Sequence, residues 1–333
     1  MTQPDLLLAP IDRAVAAALP RWGCGAAATA RMINHSENVT YRVDDTGTGY
    51  TTILRVHRPG YHTLAAIHSE LCWLDALRDE AGVVTATALP ARDGATIQTL
   101  AGDGLDEPRY AVMFSFLTGA EPSETALLEP FERLGEVTAR LHGHVRRWPL
   151  PQGFVRQTWD FDTMLGCRPI WGDWRAGMGM NAARQAQLQR LADAIERRLR
   201  RYGHGADRFG LIHADLRLAN LLVEGPTTKV IDFDDCGFGW YLYDLGAALS
   251  FIEHRPDVPE LVEAWVRGYC RVAPLAAEDE AEIPTFILLR RLLLVAWIGS
   301  HAETDLAQSM GEAYTEGSCT LAEQYLARFG EGR

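Results

Sequence analysis

The feature that most constrains this 333-residue chain is a polar loop between two apolar runs, followed by a predicted hairpin. The loop reads His213-Ala-Asp-Leu-Arg-Leu-Ala-Asn220, and the apolar runs are Phe209–Ile212 before it and Leu221–Val223 after it. A polar turn then leads to the run Lys229–Ile231, as expected of a β-hairpin. Such a hairpin returns the chain to the loop, so packed segments on both sides hold the loop in place.

Three side chains of this segment form a set suited to phosphoryl transfer. Asp215, in the loop, is a candidate to accept the proton of a hydroxyl group. The amide oxygen of Asn220 and the carboxylate of Asp232, at the end of the hairpin, are hard oxygen ligands that suit Mg²⁺. Asp234 and Asp235 are alternatives to Asp232, although the apolar–polar alternation before the aspartates favours Asp232. The spacing therefore predicts a magnesium-dependent transfer of phosphate to a hydroxyl group.

Composition limits the function further. The formal net charge of −12 argues against nucleic-acid binding, which requires a basic surface. This acidity fits a cationic small substrate, although it also serves simply to keep a protein soluble. No apolar run reaches the ~20 residues that span a bilayer, and the longest, Phe286–Gly299, contains Arg290 and Arg291 and is predicted to be a buried helix. The N-terminus lacks the basic start of a secretory signal, so we expect a cytoplasmic protein without a membrane partner.

Residues 1–115 are predicted to form a mainly antiparallel sheet with one sizeable helix. In the span from His62 to Glu80, apolar residues recur at spacings of three and four, which indicates an amphipathic helix. A shorter helix is predicted for residues 10–20, between two prolines. Short runs with strand character lie at 27–33, 38–43, 51–57, 96–100 and 109–116.

Residues 116–333 have mostly helical patterns. An irregular segment, Trp148–Met180, carries four tryptophans that form either an aromatic wall for a cationic substrate or part of the core. Strands first and helices later predict an α+β protein with two lobes, 1–115 and 116–333. The predicted helices span 124–146, 183–202, 241–253, 260–272, 285–300 and 303–329.

Three segments resemble a known family. The loop His213–Asn220 and the stretch Val230-Ile-Asp-Phe233 resemble the two signature segments of the aminoglycoside phosphotransferase/choline kinase-like family, and Tyr243-Asp-Leu-Gly246 resembles its later Asp-Leu segment. The resemblance implies a protein-kinase-like bilobal fold, with a small antiparallel β-rich N-lobe and a larger helical C-lobe. It also implies ATP, with GTP as the alternative, and Mg²⁺. In that family Asp244 would brace the catalytic loop, and His213 would support the same loop by hydrogen bonding.

The resemblance extends to the N-lobe, where it implies nucleotide contacts. The stretch that begins with Ser36 and includes Asn38 resembles the nucleotide-covering loop of homoserine kinase-like and stress response kinase A-like members, although an ordinary hairpin is the alternative. Arg55 occupies the position of the family's phosphate-binding lysine, and Glu70 lies on the following helix. An Arg55–Glu70 pair would order the contact with the α- and β-phosphates, or would be a plain structural ion pair.

The stretch Tyr110–Gly119 resembles the strand and hinge between the lobes of the family. Backbone groups around Ser115 and Leu117 would meet the adenine edge, and Met113 would form a wall of the nucleotide pocket. A core strand followed by a turn is the rival interpretation, and both can hold together.

The acceptor predicted first is a small amino alcohol such as homoserine, hydroxylysine, choline or an aminoglycoside. A protein serine/threonine kinase is the second hypothesis, but Tyr243-Asp-Leu follows Asp232 too soon for an activation loop that would support a peptide. A third hypothesis is a catalytically silent nucleotide-binding scaffold, which the arginine at position 55 suggests and the intact Asp215, Asn220 and Asp232 oppose. The sequence does not specify an oligomeric state.

Overall fold

A computed structural model of the chain describes residues 3–35, 38–102, 104–123 and 125–330 and, for residues 3–7, the backbone alone. Its contacts divide the chain into two compact units. The main change of unit, between Thr118 and Gly119, lies close to the division after residue 115 that the sequence suggests. Unit 1 comprises Met1–Asp79, Val84–Thr118 and Leu150–Val155, and unit 2 comprises Glu80–Val83, Gly119–Pro149 and Arg156–Arg333.

Over its described residues, unit 1 contains an antiparallel sheet and two α-helices. The strand order is β1-β2-β3-β6-β4, and β5 also pairs with β6. The two-residue strand β4 is absent from the sequence prediction. The elements are α1 (Gln3–Ala18), β1 (Ala28–His35), β2 (Val39–Asp45), β3 (Tyr50–Val56), α2 (Leu64–Ala81), β4 (Ala88–Leu89), β5 (Ile97–Leu100) and β6 (Arg109–Ser115).

The core of unit 1 follows from alternation along its strands. Val39, Tyr41 and Val43 are buried, whereas the residues between them on β2 are half-exposed. These three side chains pack in one cluster with Leu54 of β3 and Val15 of α1. Burial with a period of two is the pattern of a sheet covered on one face, so the sheet and α1 form a single core.

Helix α1 differs from the prediction, which placed a short helix between Pro10 and Pro20. The helix runs through Pro10 and ends at Ala18, and a 3₁₀ turn, Leu19–Trp22, follows it. A proline inside a helix removes one backbone hydrogen bond but does not always end the helix. Here Ile11 and later apolar residues of the helix pack into the core, and this packing outweighs the local cost of Pro10.

In the part of unit 2 that the structure describes, helices dominate and two small sheets accompany them. Strands β9 and β10 form an antiparallel hairpin, while β11 pairs in parallel with β7 and antiparallel with β8. The hairpin agrees with the sequence prediction. The elements are α3 (Leu128–Val145), β7 (Thr158–Trp159), α4 (Phe161–Met164), α5 (Ala182–Tyr202), β8 (Phe209–Ile212), β9 (Leu221–Glu224), β10 (Thr227–Val230), β11 (Gly237–Trp240), α6 (Tyr243–Ala248), α7 (Val258–Val272), α8 (Ala277–Ser300) and α9 (Asp305–Phe329).

Some helix boundaries in unit 2 differ from the prediction. Helix α6 ends at Ala248, and Phe251 has a φ of 70°, which a continuing right-handed helix does not allow. Helix α8 begins at Ala277 rather than at residue 285, because three acidic residues in its first turn favour a helix N-terminus. Gly311, with a φ of 50°, kinks α9.

The sequence prediction misses strand β11, because it reads Gly-Phe-Gly-Trp and glycine is rare in strands. Close packing explains both glycines. A Cβ at Gly237 would lie 2.4 Å from the carbonyl oxygen of Gln157, and one at Gly239 would lie 2.5 Å from Cδ1 of Ile212. Glycine therefore lets β7 and β8 approach β11, and β8 leads directly into the polar loop.

Helix α8 is long and apolar enough to cross a membrane, but 83% of its most apolar window is buried within the protein. This agrees with the prediction of a buried helix for residues 286–299. Arg290 and Arg291 are only 1% and 2% exposed. Because a buried charge is costly without partners, these two arginines must be paired inside unit 2.

Candidate active site

The polar loop after β8 is held by a buried aspartate of α6. The carboxylate of Asp244 accepts the backbone N–H of His213 (3.2 Å) and that of Ala214 (2.8 Å). Nε2 of His142 lies 3.1 Å from the same carboxylate, and Nδ1 of this histidine lies 3.2 Å from the hydroxyl of Tyr269. Ala214 has a φ of 68°, a left-handed conformation that is strained for alanine. Asp244 therefore fixes a strained loop through two consecutive amides.

His142 should give the folded protein a pH dependence. Burial lowers the pKa of His142, and the opposing effect of Asp244 does not cancel it. Because the folded pKa lies below the unfolded value of about 6.5, stability is fully present above that pH and falls as the pH drops through the folded pKa. We expect the wild-type melting temperature to fall more steeply from pH 8 to pH 5 than that of His142→Gln. The exposed His68→Gln should keep the wild-type slope, and equal slopes in all three proteins would contradict the prediction.

His213 joins the loop to the end of the hairpin. Its Nδ1 accepts the backbone N–H of Asp215 (3.3 Å), and its Nε2 lies 3.1 Å from the carbonyl oxygen of Ile231. A ring that accepts at Nδ1 and donates at Nε2 is a neutral imidazole. The ring of Phe233 covers it at 4.4 Å between centroids. His213 thus lies between the loop and the segment that carries Asp232.

The carboxylate of Asp215 is surrounded by donors. Nη2 of Arg290 donates to Oδ1 at 2.5 Å, Nδ2 of Asn220 donates to Oδ2 at 2.8 Å, and Nε of Arg217 donates to Oδ2 at 3.2 Å. Burial acts to raise the pKa of Asp215, but the cations Arg217 and Arg290 outweigh it, and the pKa lies below its ordinary value. Asp215 is therefore ionised at neutral pH, with both oxygens fixed in direction.

Asn220 and Asp232 lie on backbone segments that are hydrogen-bonded to each other. The backbone N–H of Ile231 donates to the carbonyl oxygen of Asn220 (3.0 Å). Asp232 is the next residue in the chain, so this hydrogen bond holds its backbone beside that of Asn220. Nδ2 of Asn220 is committed to the backbone and the carboxylate of Asp215, which leaves its amide oxygen as the atom for a cation. Asp232 is exposed, whereas Asp234 and Asp235 are buried. A neutral amide oxygen and an exposed carboxylate fit the oxygen-rich coordination of Mg²⁺.

A buried ion pair connects β3 and α2 in unit 1. Nη2 of Arg55 donates to both carboxylate oxygens of Glu70, at 2.7 and 2.8 Å. Glu70 is fully buried, and the guanidinium of Arg55 lies 5.0 Å from the centroid of the Phe114 ring. The pair fixes the direction of the Arg55 side chain. Whether the pair also orders phosphate stays a prediction.

The predicted nucleotide loop is described only in part. Ser36 lies outside the described residues. Oδ1 of Asn38 accepts the backbone N–H of Arg58 (3.0 Å). Asn38 thereby connects the start of β2 to the chain just after β3.

The residues predicted at the hinge have structural partners within unit 1. Met113, proposed as a wall of the nucleotide pocket, belongs to the core cluster of the sheet and is 2% exposed. The backbone N–H of Ser115 donates to the carbonyl oxygen of Thr87 (2.8 Å), and its Oγ accepts the N–H of Thr87 (2.9 Å). These bonds occupy the backbone N–H of Ser115, and the contact of backbone groups around Ser115 and Leu117 with adenine stays a prediction. Leu117, half-buried beyond the end of β6, remains the hinge candidate.

Similarity to known proteins agrees with this geometry. Residues 29–282, more than half of the chain, match the phosphotransferase enzyme family. The chain belongs to this family. The resemblance to aminoglycoside phosphotransferases and choline kinases is therefore confirmed.

Three kinases show how far the similarity of this phosphotransferase extends. A microcompartment-associated aminopropanol kinase of known structure has 48% sequence identity to this chain and a TM-score of 0.88. The match covers 95% of this chain and 98% of that chain. Amicoumacin kinase of Bacillus subtilis (strain 168) is 25% identical over 297 residues, which are 86% of this chain and 83% of that protein. An amicoumacin kinase in complex with AMP-PNP and Ca²⁺ is 20% identical, with a TM-score of 0.77 over 95% of this chain and 93% of that chain, and shares the fold.

These similarities confirm the predicted fold class and the enzyme class. The phosphotransferase has the fold of this family, with an antiparallel sheet in its N-terminal region and helices in its C-terminal region. It is a phosphotransferase of the kinase type.

The sequence analysis did not identify several residues that are distant in the chain from the site of the phosphotransferase but contact it in the fold. Arg290 was expected only as a buried position of a core helix, yet it contacts Asp215. The buried Arg156 donates from Nη2 to the carbonyl oxygen of Asp234, and Nε1 of Trp159 donates to that of Asp235 (2.7 Å). A charged residue inside an apolar run was the one signal for Arg290, because such a residue requires a buried partner.

Most of the tryptophans in the segment Trp148–Met180 belong to the core. Trp159, Trp171 and Trp174 are buried, so the core interpretation holds for these members of the tryptophan-rich segment. Arg198 of α5 is half-buried and binds Glu282, with 2.6 Å between Nη2 and Oε1.

Proposed function

We propose that the protein transfers the γ-phosphate of ATP to the hydroxyl group of a small amino alcohol, in a Mg²⁺-dependent reaction in the cytoplasm. The observation that carries the acceptor class is the 48% identity, over 95% of the chain, with a microcompartment-associated aminopropanol kinase. The net charge of −12 supports a cationic acceptor. Neither a nucleic acid nor a membrane takes part in the proposed reaction.

Asp215 is the proposed catalytic residue. Its ionised carboxylate accepts a hydrogen bond from the acceptor hydroxyl and directs the oxygen toward the γ-phosphorus. The new bond forms between that oxygen and phosphorus, the bond from phosphorus to the leaving ADP oxygen breaks, and the hydroxyl proton passes to Asp215. Because its neighbours lower the pKa of Asp215, this carboxylate is a weak base. Orientation of the hydroxyl is therefore its larger contribution.

Charge on the phosphates is the second requirement of the reaction. We assign the amide oxygen of Asn220 and the carboxylate of Asp232 to Mg²⁺, which when bound neutralises negative charge on the phosphate oxygens. Arg55, fixed by Glu70, would contact the α- and β-phosphates. An arginine fork can do this with two parallel hydrogen bonds where a lysine offers a point charge. Asn38 and the backbone of Leu117 remain the nucleotide contacts that we propose for unit 1.

An acceptor screen tests this function. ATP consumption is measured with 1-amino-2-propanol, ethanolamine, choline, homoserine and an aminoglycoside, with 1,2-propanediol as the matched neutral control and GTP as the second donor. We expect turnover with an amino alcohol and at least about tenfold lower kcat/KM with the diol, since one lost charge contact amounts to more than 1.4 kcal/mol. Stabilisation by nucleotide without turnover on any acceptor would favour a silent scaffold, and turnover on protein alone would favour a protein kinase.

A further inference from the structure

Arg290 of α8 is a buried guanidinium that binds two consecutive residues of the catalytic loop. Nη2 donates to Oδ1 of Asp215, and Nη1 donates to the carbonyl oxygen of Ala214 (3.2 Å). Nη1 also lies 3.1 Å from the hydroxyl of Tyr243, and Nε donates to Oγ of Ser250 (2.9 Å). Each of the three guanidinium nitrogens therefore has a partner, which fixes the orientation of the group.

The surroundings of Arg290 make that orientation rigid. The Cζ atom lies 5.1 Å from the centroid of the Trp171 ring, which covers one face of the guanidinium. Arg290 is 1% exposed and belongs to a helix whose most apolar window is 83% buried. A planar fork can bind the carbonyl of Ala214 and the carboxylate of Asp215 together, which an ammonium group on a flexible stem cannot do with the same fixed geometry.

The open hydrogen-bonding position of Asp215 lies beside Arg290. An ionised carboxylate has about four lone-pair positions, two on each oxygen. Nδ2 of Asn220 and Nε of Arg217 occupy those of Oδ2, and Arg290 occupies one of Oδ1. Among the residues that the structure describes, one position therefore remains, on Oδ1, for an acceptor hydroxyl.

We infer that Arg290 is a positioning residue of the reaction, which holds Oδ1 of Asp215 in the direction from which it receives the acceptor hydroxyl. The inference rests on the proposed function, because Asp215 must be the group that receives the hydroxyl. Arg290 acts through Asp215 and does not itself contact the acceptor. Its loss lets the carboxylate turn toward Arg217 and Asn220, which remain bound to Oδ2.

The first measurement compares kcat and KM in Arg290→Met and Arg290→Lys. Misplacement of a reacting group by ~1 Å costs about 10²-fold in rate, so we expect this loss in kcat for Arg290→Met. KM for ATP should stay within about twofold, because the contacts of Arg290 are with the loop that receives the acceptor. Arg290→Lys keeps the charge without the fork, and its kcat should lie between those of the wild type and Arg290→Met.

A double-mutant cycle separates positioning from a general structural role. If Arg290 acts through Asp215, the change Arg290→Lys should lower single-turnover rates much less in an Asp215→Asn background than in the wild type. A purely structural arginine would cost the same factor in both backgrounds. Arg290→Lys also carries the test if Arg290→Met does not fold, which thermal unfolding establishes.

The neighbouring Arg291 is the matched control. It is equally buried on α8, but Nη1 binds Glu253 (2.8 Å) and Nε binds Ser318 (2.7 Å) rather than the catalytic loop. Arg291→Lys should lower the melting temperature and leave kcat unchanged. If the wild type is active but the double-mutant cycle is additive, the positioning role of Arg290 is wrong and the proposed function stands. Equal losses of kcat in Arg290→Lys and Arg291→Lys would have the same meaning. A wild type without turnover on any amino alcohol would overturn the proposed function and, with it, this inference.

Discussion

Asp215→Asn is expected to lower kcat by about 10²- to 10⁴-fold, the usual contribution of a positioned acid–base group. The substitution keeps the size of the side chain and removes its charge. Three donors surround the carboxylate, from Arg290, Asn220 and Arg217. An amide has only one oxygen to offer them, so its nitrogen would face a donor. The variant therefore loses both the proton acceptor and the fixed direction of Oδ1.

The effect should appear in kcat and not in nucleotide binding. Steady-state kinetics with the best amino alcohol gives kcat and KM, and thermal shift with ATP and Mg²⁺ reports whether the nucleotide still binds. Asp193→Asn, at an exposed position of α5, is the matched control and should keep wild-type kinetics. If Asp215→Asn retained near-normal kcat, Asp215 would not be the group that receives the hydroxyl.

The parts of the site that sequence predicts are those encoded within one short segment. The spacing of Asp215 and Asn220 in the loop, and the hairpin that returns the chain to it, depend on local rules for strands and turns. The pair of Arg55 with Glu70 could also be expected, because the family resemblance implies a cation on the third strand and a glutamate on the following helix. The backbone contact between Asn220 and Ile231 follows from the same hairpin.

The parts that sequence could not predict depend on contacts between distant segments. Arg290 lies 75 residues beyond Asp215, and nothing in an apolar helix with two adjacent arginines says which partner each one binds. The pairing of β11 with β8 could not be predicted, because the glycines of β11 allow close packing but have low strand propensity. The commitment of the Ser115 amide to Thr87 likewise depends on β4, a strand of two residues.

The three aspartates that follow β10 differ in ways that bear on metal binding. Asp232 is exposed and follows Ile231, whose N–H binds Asn220. Asp234 and Asp235 are buried, and their carbonyl oxygens accept hydrogen bonds from Arg156 and Trp159 in unit 2. Asp232 also has a φ of 61°. Because asparagine tolerates the left-handed region well, Asp232→Asn removes the charge while keeping the backbone.

Asp232→Asn is therefore expected to lower kcat/KM for ATP by about 10²-fold or more, since a catalytic metal contributes several kcal/mol of transition-state stabilisation. The Mg²⁺ concentration for half-maximal activity should rise as well, because the site loses its charged ligand. Rates measured across a Mg²⁺ titration at saturating amino alcohol give both quantities. High Mg²⁺ should restore part of the lost activity, as expected when affinity for the metal falls and the rest of the site is intact.

Asp234→Asn is the matched comparison. It removes an equal charge from a buried residue that lies two positions after Asp232. We expect this variant to melt at a lower temperature and to keep the wild-type Mg²⁺ requirement. The opposite result, a raised requirement in Asp234→Asn and a normal one in Asp232→Asn, would move the charged ligand to Asp234. Asp232 would then have no role at the metal.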